Sequence, residues 1–421
     1  MVRKPVFYRM LPSPSSTFLW GLLLCLLCLL TGCDSYRARQ EADAGIEAIQ
    51  SCQFKIAYNH FKKADEYYPN HHEILIGLSI SEFLYFLDTP DINTILSSLG
   101  FRWNVHSLCK TLADQDSDRS SSDLQACHAF DSSKLTASIT PNEINALDPA
   151  LINPNLTWQH IISSLQIHQQ LLDQAAEHAY AAAKSNIPHY HAGNFFGYDI
   201  TIHASEIAML SIAANLLSTF LDIVGLYEWD FSVKKTIESL QNDEDNWLIP
   251  TMSDKFLQNK KNKTLQHTLD KIQQTINALG FVVPYLQLFK TYLPESDTHG
   301  CPIRNSLFHW ETLPAGIIMD FEKASHILDA SPSIASLNEF FDPEISIDLA
   351  FILQNPPALT MPTAELNDSA WQWHFQELQQ QLNAAFDPPI LDENNPTFQL
   401  RDEFSFRLNS AWLKWNPRNL L

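Results

Sequence analysis

Apolar positions along this chain follow three patterns. Residues 18–30 are almost unbroken hydrocarbon. In several segments between residue 37 and about 293, on either side of a polar break, apolar residues return every three or four positions, the period of helices that lay one face on a core. Trp158, Ile161, Leu165, His168, Leu172, Ala175 and Ala179 make one such stripe, with Asn155 as the expected cap of a single long helix and His168 as a satisfied core histidine. Leu265, Leu269, Ile272, Ile276 and Leu279 make another. Gly280 is its expected stop, with residues 281–293 folding back as a hairpin arm. Residues 207–224 are apolar enough to suggest a membrane span, but Ser211, Asn215, Ser218, Thr219 and Asp222 interrupt them, so a buried central helix is expected. Beyond Pro294 prolines cluster and helices shorten. Residues 321–328 and 371–386 are expected to be helical there. Phe398, Leu400, Phe404 and Phe406 suit a short extended pair. The period throughout predicts a mainly all-α fold.

The first apolar run has the layout of a secretory signal: Arg3, Lys4 and Arg9 ahead of it, then Leu30-Thr31-Gly32-Cys33. Those four residues resemble the lipobox of bacterial lipoproteins. The resemblance implies cleavage before Cys33, lipid on its sulfur, and a protein held on the cell envelope by an anchor that does not span the membrane. Asp34 directly after it resembles an inner-membrane retention signal.

A second resemblance lies just downstream. Gly45, Ala57, Phe61, Ala64 and Pro69 fall at the small, small, aromatic, small and proline positions of the tetratricopeptide repeat (TPR). Gly45 and Ala57 would let two helices approach, Phe61 would fill the gap, Ala64 would keep the next helix near and Pro69 would end the second helix. Leu75, Leu78 and Ser79 continue the register into a second unit whose second helix, 91–99, is short. The resemblance implies helical hairpins in an α-solenoid-like array. The expected organisation is a signal peptide over 1–32, TPR-like hairpins over 33–112, a polar linker over 113–150, a helical core over 151–293 and an irregular, proline-rich C-terminal portion over 294–421.

Composition narrows the function. With 27 basic and 48 acidic residues the net charge is −21; without the three bases of residues 1–32 it is 24 − 48 = −24, a surface that repels nucleic acid. Only 11 glycines occur in 421 residues, which disfavours glycine-dependent nucleotide loops. Neither a nucleophile elbow nor a P-loop is present. His189, His191, His203 and Glu206 offer the one grouping with metal-binding chemistry, His-Tyr-His in a loop and then His203 and Glu206 one helical turn apart. The blander account is a polar loop leading into an apolar helix, with Glu206 at its N-terminus. No cofactor is expected. Cys109 and Cys127 flank the polar segment 115–123 and are the expected disulfide, with Cys52 and Cys301 as buried thiols. Closing that loop would stabilise by about 3 kcal/mol in the chain-entropy account.

Together these features point to a lipid-anchored scaffold that binds another envelope protein and carries no evident catalytic apparatus. The alternative is an envelope hydrolase acting on glycans or peptides, whose carboxylates or metal site no motif reveals.

Overall fold

The computed structural model describes residues 34–99, 109, 150–185, 189–195, 198–227, 229–241, 265–291, 315–329, 331–355, 368–392 and 400–406. Among them are twelve helices and little sheet, so the fold is mainly all-α.

The N-terminal part is α1 (34–50), α2 (Phe54–Tyr67), α3 (His72–Leu87) and α4 (Pro90–Ser98). Cys52 closes α1 at φ 57°, its N–H and that of Gln53 returning to Ile49 and Ala48 carbonyls at 2.8 Å each. Asn70, at φ 60°, turns the chain from α2 into α3, its N–H donating to Asp65 Oδ1 at 2.9 Å. Asparagine tolerates the left-handed region, and Pro69 beside it cannot extend α2. Helix α3 is apolar nearly all round because it has neighbours on two sides, α2 and α6.

The expected long helix is two. α5 (Trp158–Ile167) starts at Thr157, not Asn155: the Thr157 side chain accepts from the His160 N–H and His160 answers to the Thr157 N–H, a reciprocal cap. The backbone breaks at His168 (φ −103°, ψ 4°) and resumes as α6 (Gln169–Lys184). His168 is therefore no core residue: it is half-buried and its Nε2 meets Asp91 Oδ2 of α4 at 2.7 Å. The strands β1 (His189–Phe195) and β2 (Tyr198–His203) form an antiparallel hairpin that leads into α7 (Ala204–Gly225), α8 (Val233–Gln241) and α9 (Leu265–Thr291). Helix α9 runs through Gly280 without stopping, so the expected hairpin arm after it does not exist. A Cβ at Gly280 would meet nothing within 4 Å, and the exposed glycine is tolerated in an otherwise favourable helix.

Consecutive long helices are spatial neighbours: α2 packs on α3, α3 on α6, α6 on α7, α7 on α9, and α9 on α10 (Ala315–Ser325). One core, from Ala38 through Ala57, Leu75, Ala179 and Ala208 to Ile317, runs through this succession. Short helices α4, α5 and α8 close one side around Ile95, Ile152, Ile161 and Val233. α7 is the one described helix long and apolar enough to cross a membrane, but 56% of that window is buried in the protein.

The C-terminal part has a small core of its own, Ile345, Ile390 and Phe404. Around it lie β3 (Ile334–Ser336), β4 (Phe341–Asp342), β5 (Ser346–Asp348), α11 (Leu349–Gln354), α12 (Asp368–Asn383), β6 (Phe386–Asp387) and β7 (Ser405–Phe406). Strands pair in the order β3-β5-β6 and, separately, β4-β7. Phe406 is thus extended as expected, but its partner is Phe341 across some sixty residues of chain, not the segment beside it.

Candidate functional site

Three constellations bear on function. The first is the junction of α1, α2 and α3. The Phe61 ring is held between two glycines: a Cβ on Gly45 would sit 2.7 Å from Phe61 Cε2, and one on Gly77 would overlap the opposite edge of the ring. Ala57 and Ala64, on the same face of α2, are fully buried. Small residues bring the backbones close and one aromatic fills the space. Pro69, the fifth residue of the expected set, is exposed in the turn after α2. Gly77 was not among the expected positions, and its signal was present in the sequence as the one glycine within the apolar run Ile74–Leu78 of α3.

The same junction carries the disulfide, and here the expectation fails. Cys109 bridges Cys52, with Cα atoms 5.8 Å apart, so Cys127 is not its partner. Cys127 and Cys301 lie outside the described residues. Proximity along the chain suggested the short loop. The geometry instead presents Cys52 from the left-handed turn after α1, where residue 109 meets it at bridging distance.

The second constellation is a polar seam where α6, α7 and α9 meet. Lys271 of α9, 3% exposed, donates to Asp222 Oδ2 (2.8 Å) and Ser218 Oγ (2.8 Å) of α7 and meets Asp173 Oδ1 (3.0 Å) of α6. Ser218 in turn donates to Asp173 Oδ1. Gln169 donates to Asp222 Oδ1 at 2.7 Å, Thr268 to Asp222 Oδ2 at 3.2 Å, and His267 reaches Asp173 Oδ2 at 3.2 Å. A serine beside a lysine suggests a nucleophile with its base. The geometry argues against it: Ser218 is fully buried, its proton is committed to Asp173, and its lone pairs take hydrogens from Lys271 and Gln169. These groups hold helices together and leave none free to react. Ser211 and Asn215 extend the seam along α7; the buried Asn215 Nδ2 and Thr219 Oγ1 meet no partner among the described residues.

Histidine–carboxylate pairs link other helices. His60 of α2 meets Glu41 of α1 at 2.6 Å, and His178 of α6 meets Glu82 of α3 at 2.8 Å. Burial pushes the Glu82 carboxyl above its ordinary range, against the hydrogen bond and charge of His178. Burial lowers His178, but the hydrogen bond and charge of Glu82, with Glu177 and Asp65, carry it above its ordinary value. The pair therefore holds a proton more firmly in the fold than the separate side chains would.

The third constellation is the expected metal grouping. His189 and His191 lie on a strand, not in a loop, and strand register pairs His189 with His203 and His191 with Thr201. Alternation through Tyr198, Ile200 and Ile202 was the sequence signal for this hairpin. Glu206 stands buried in the first turn of α7. The side chains of His189, His191 and His203 lie outside what is described, and among the described residues no three His, Cys, Asp or Glu side chains are grouped to hold a metal.

An open cleft of about 490 Å³ lies beside α4, lined by Asn93, Thr94, Ser97, Ser98, Leu151 and Asn153. Among the described residues its lining has no ionisable group and offers hydrogen-bonding side chains. No family model, curated protein or solved structure matches this chain.

Proposed function

We propose that this chain is a lipid-anchored scaffold of the cell envelope, with lipid on Cys33 and TPR-like hairpins that bind another envelope protein. The observation that carries the reading is Phe61 packed between Gly45 and Gly77, with Ala57 and Ala64 buried beside it. That is the close helix pairing a TPR-like unit needs in order to stack. The Cys52–Cys109 disulfide supports an exported protein, since such bridges persist in oxidising compartments. The saturated hydrogen bonding around Lys271 favours a structural role for that seam over a hydrolytic one.

Crosslinking in intact envelopes tests the partner. Wild-type chain is expected to capture one envelope protein, and Gly77→Leu, which dislodges Phe61, is expected to lose it while remaining in the membrane fraction. Equal capture by both, or none by either, overturns the partner reading. The anchor is tested separately: Cys33→Ser is expected to leave the membrane fraction, and its retention after a carbonate wash overturns lipid anchoring.

A further inference from the structure

Helix α1 runs away from Asp34 and α2 returns, so the start of α1, the end of α2 and the turn into α3 share one end of the hairpin. The Arg37 guanidinium lies over the Tyr67 ring there, 5.9 Å from its centroid. Three tyrosines crowd this end and face solvent: Tyr36 is 64% exposed, Tyr67 39% and Tyr68 48%. Tyr68 packs on His71 (4.8 Å between centroids) and His71 on His72 (4.5 Å), so the aromatic surface is continuous around the turn.

The charge at this end is balanced. Residues 34–39 and 62–73 hold Arg37, Arg39, Lys62 and Lys63 against Asp34, Asp65, Glu66 and Glu73, 4 − 4 = 0, in a chain with 48 acids to 27 bases. Burial, then the charge of His71, holds His72 below its ordinary value. The surface therefore lacks the acidity that would repel lipid headgroups elsewhere.

Exposed tyrosines with arginine at the edge of a neutral surface match the interfacial layer of a bilayer, where the ring contacts apolar material and the hydroxyl stays wet. Connectivity places that layer within reach. Cys33 precedes Asp34 by one peptide bond, about 3.8 Å between Cα atoms. Helix α1 begins at Asp34 among the described residues, so no tether separates a lipidated sulfur from the folded body.

We propose that this end of the hairpin is seated in the headgroup layer, with Tyr36, Tyr67 and Tyr68 as interfacial anchors and Arg37 at the phosphates. The inference rests on the lipid-anchor reading of Cys33. Acyl chains hold the protein to the membrane; the tyrosines fix which end faces it, so the array leaves the bilayer in one orientation.

Photolabelling of membranes carrying the full chain, with a diazirine-bearing phosphatidylcholine, tests it. Peptides containing Tyr36 and Tyr67–Tyr68 are expected to label several-fold above the α7 peptide containing Leu216 and Phe220, an exposed apolar stripe elsewhere on the protein. Combined Tyr36→Ser, Tyr67→Ser and Tyr68→Ser should lose this label while unfolding at nearly the wild-type temperature, because the removed rings are solvent-facing. The mass of the Cys33 peptide from the same sample reports the anchor. An acylated Cys33 with unlabelled tyrosines, or label concentrated on α7, overturns the seat and leaves the anchor standing. An unmodified Cys33 overturns the anchor and the seat with it.

Discussion

The α1–α3 junction and the α6–α7–α9 seam solve one packing problem in opposite ways. Both bring helices close with small residues: Gly45, Ala57 and Gly77 in the first, and Ala175, Ala179, Ala208, Ala214 and Ala278 in the second. In the first, a phenyl ring fills the remaining space. In the second, Asp173, Ser218, Asp222 and Lys271 fill it. The consequence is plainest on α7, which turns Ser211, Ser218 and Asp222 inward and leaves Leu216 (55% exposed), Phe220 (58%) and Ile223 (40%) outward. Overall hydrophobicity thus misleads about which face of α7 meets the protein. Apolar packing tolerates small shifts, whereas a buried ionic cluster is stable only when every partner is in place. The seam therefore fixes the register of α9 against α6 and α7 more strictly than the Phe61 contact fixes its own helices.

The largest expected effect comes from breaking the seam. Lys271→Met leaves Asp173 and Asp222 facing each other without their cation and should cost about 4 kcal/mol, read by chemical denaturation. Replacing Asp173, Asp222 and Lys271 together by Leu, Leu and Met should recover most of that loss. A triple variant as unstable as the single one would show that the seam supplies stability and not only register.

Next comes the bridge. Cys52→Ser with Cys109→Ser opens a loop of 57 residues and should cost up to about 4 kcal/mol in the chain-entropy account. Reductant should lower the wild-type midpoint and leave the double variant unmoved; a wild-type midpoint indifferent to reductant would rule the bridge out.

Gly77→Leu drives a side chain into Phe61 and should cost about 2 kcal/mol. Leu216→Ser, on the outward stripe of α7, should cost under about 0.5 kcal/mol. Equal melting temperatures for the two would remove the contrast between inward and outward faces.

The smallest effect is a pH dependence at the α3–α6 contact. Glu82 and His178 both titrate higher in the fold than unfolded, so their contribution is complete below the unfolded values. It is lost as pH rises through the folded ones. For His178 that decline starts above 6.5, its ordinary value. The melting temperature of wild type should fall between neutral and alkaline pH by more than that of His178→Gln. Parallel curves for the two proteins would show that the pair does not carry the effect.

Much of this was legible in the chain. Helical period identified the stripes of α5, α6 and α9, whereas α7, expected to be buried, keeps one apolar face exposed. The glycine, alanine and phenylalanine spacing of residues 45–64 marks a close helix pair. Two of the departures needed a contact distant in sequence. The break at His168 goes with a tie to Asp91 of α4, whereas the start at Thr157 is a local cap. Gly280 stays helical although its sequence suited a stop. Cys109 chose Cys52 over Cys127 because bridging depends on the positions of Cα atoms, not on loop length.

The order of apolar side chains, one every three or four residues, is enough to set the mainly all-α class, because that spacing is itself the pattern of burial on a helix. Which polar residues lie inside emerges only when the helices are packed together. Ser218 and Asp222 read as blemishes in an apolar helix until Lys271, fifty residues on, is placed between them and Asp173. A charge can be buried only beside its partner, and no local pattern names a partner on another helix.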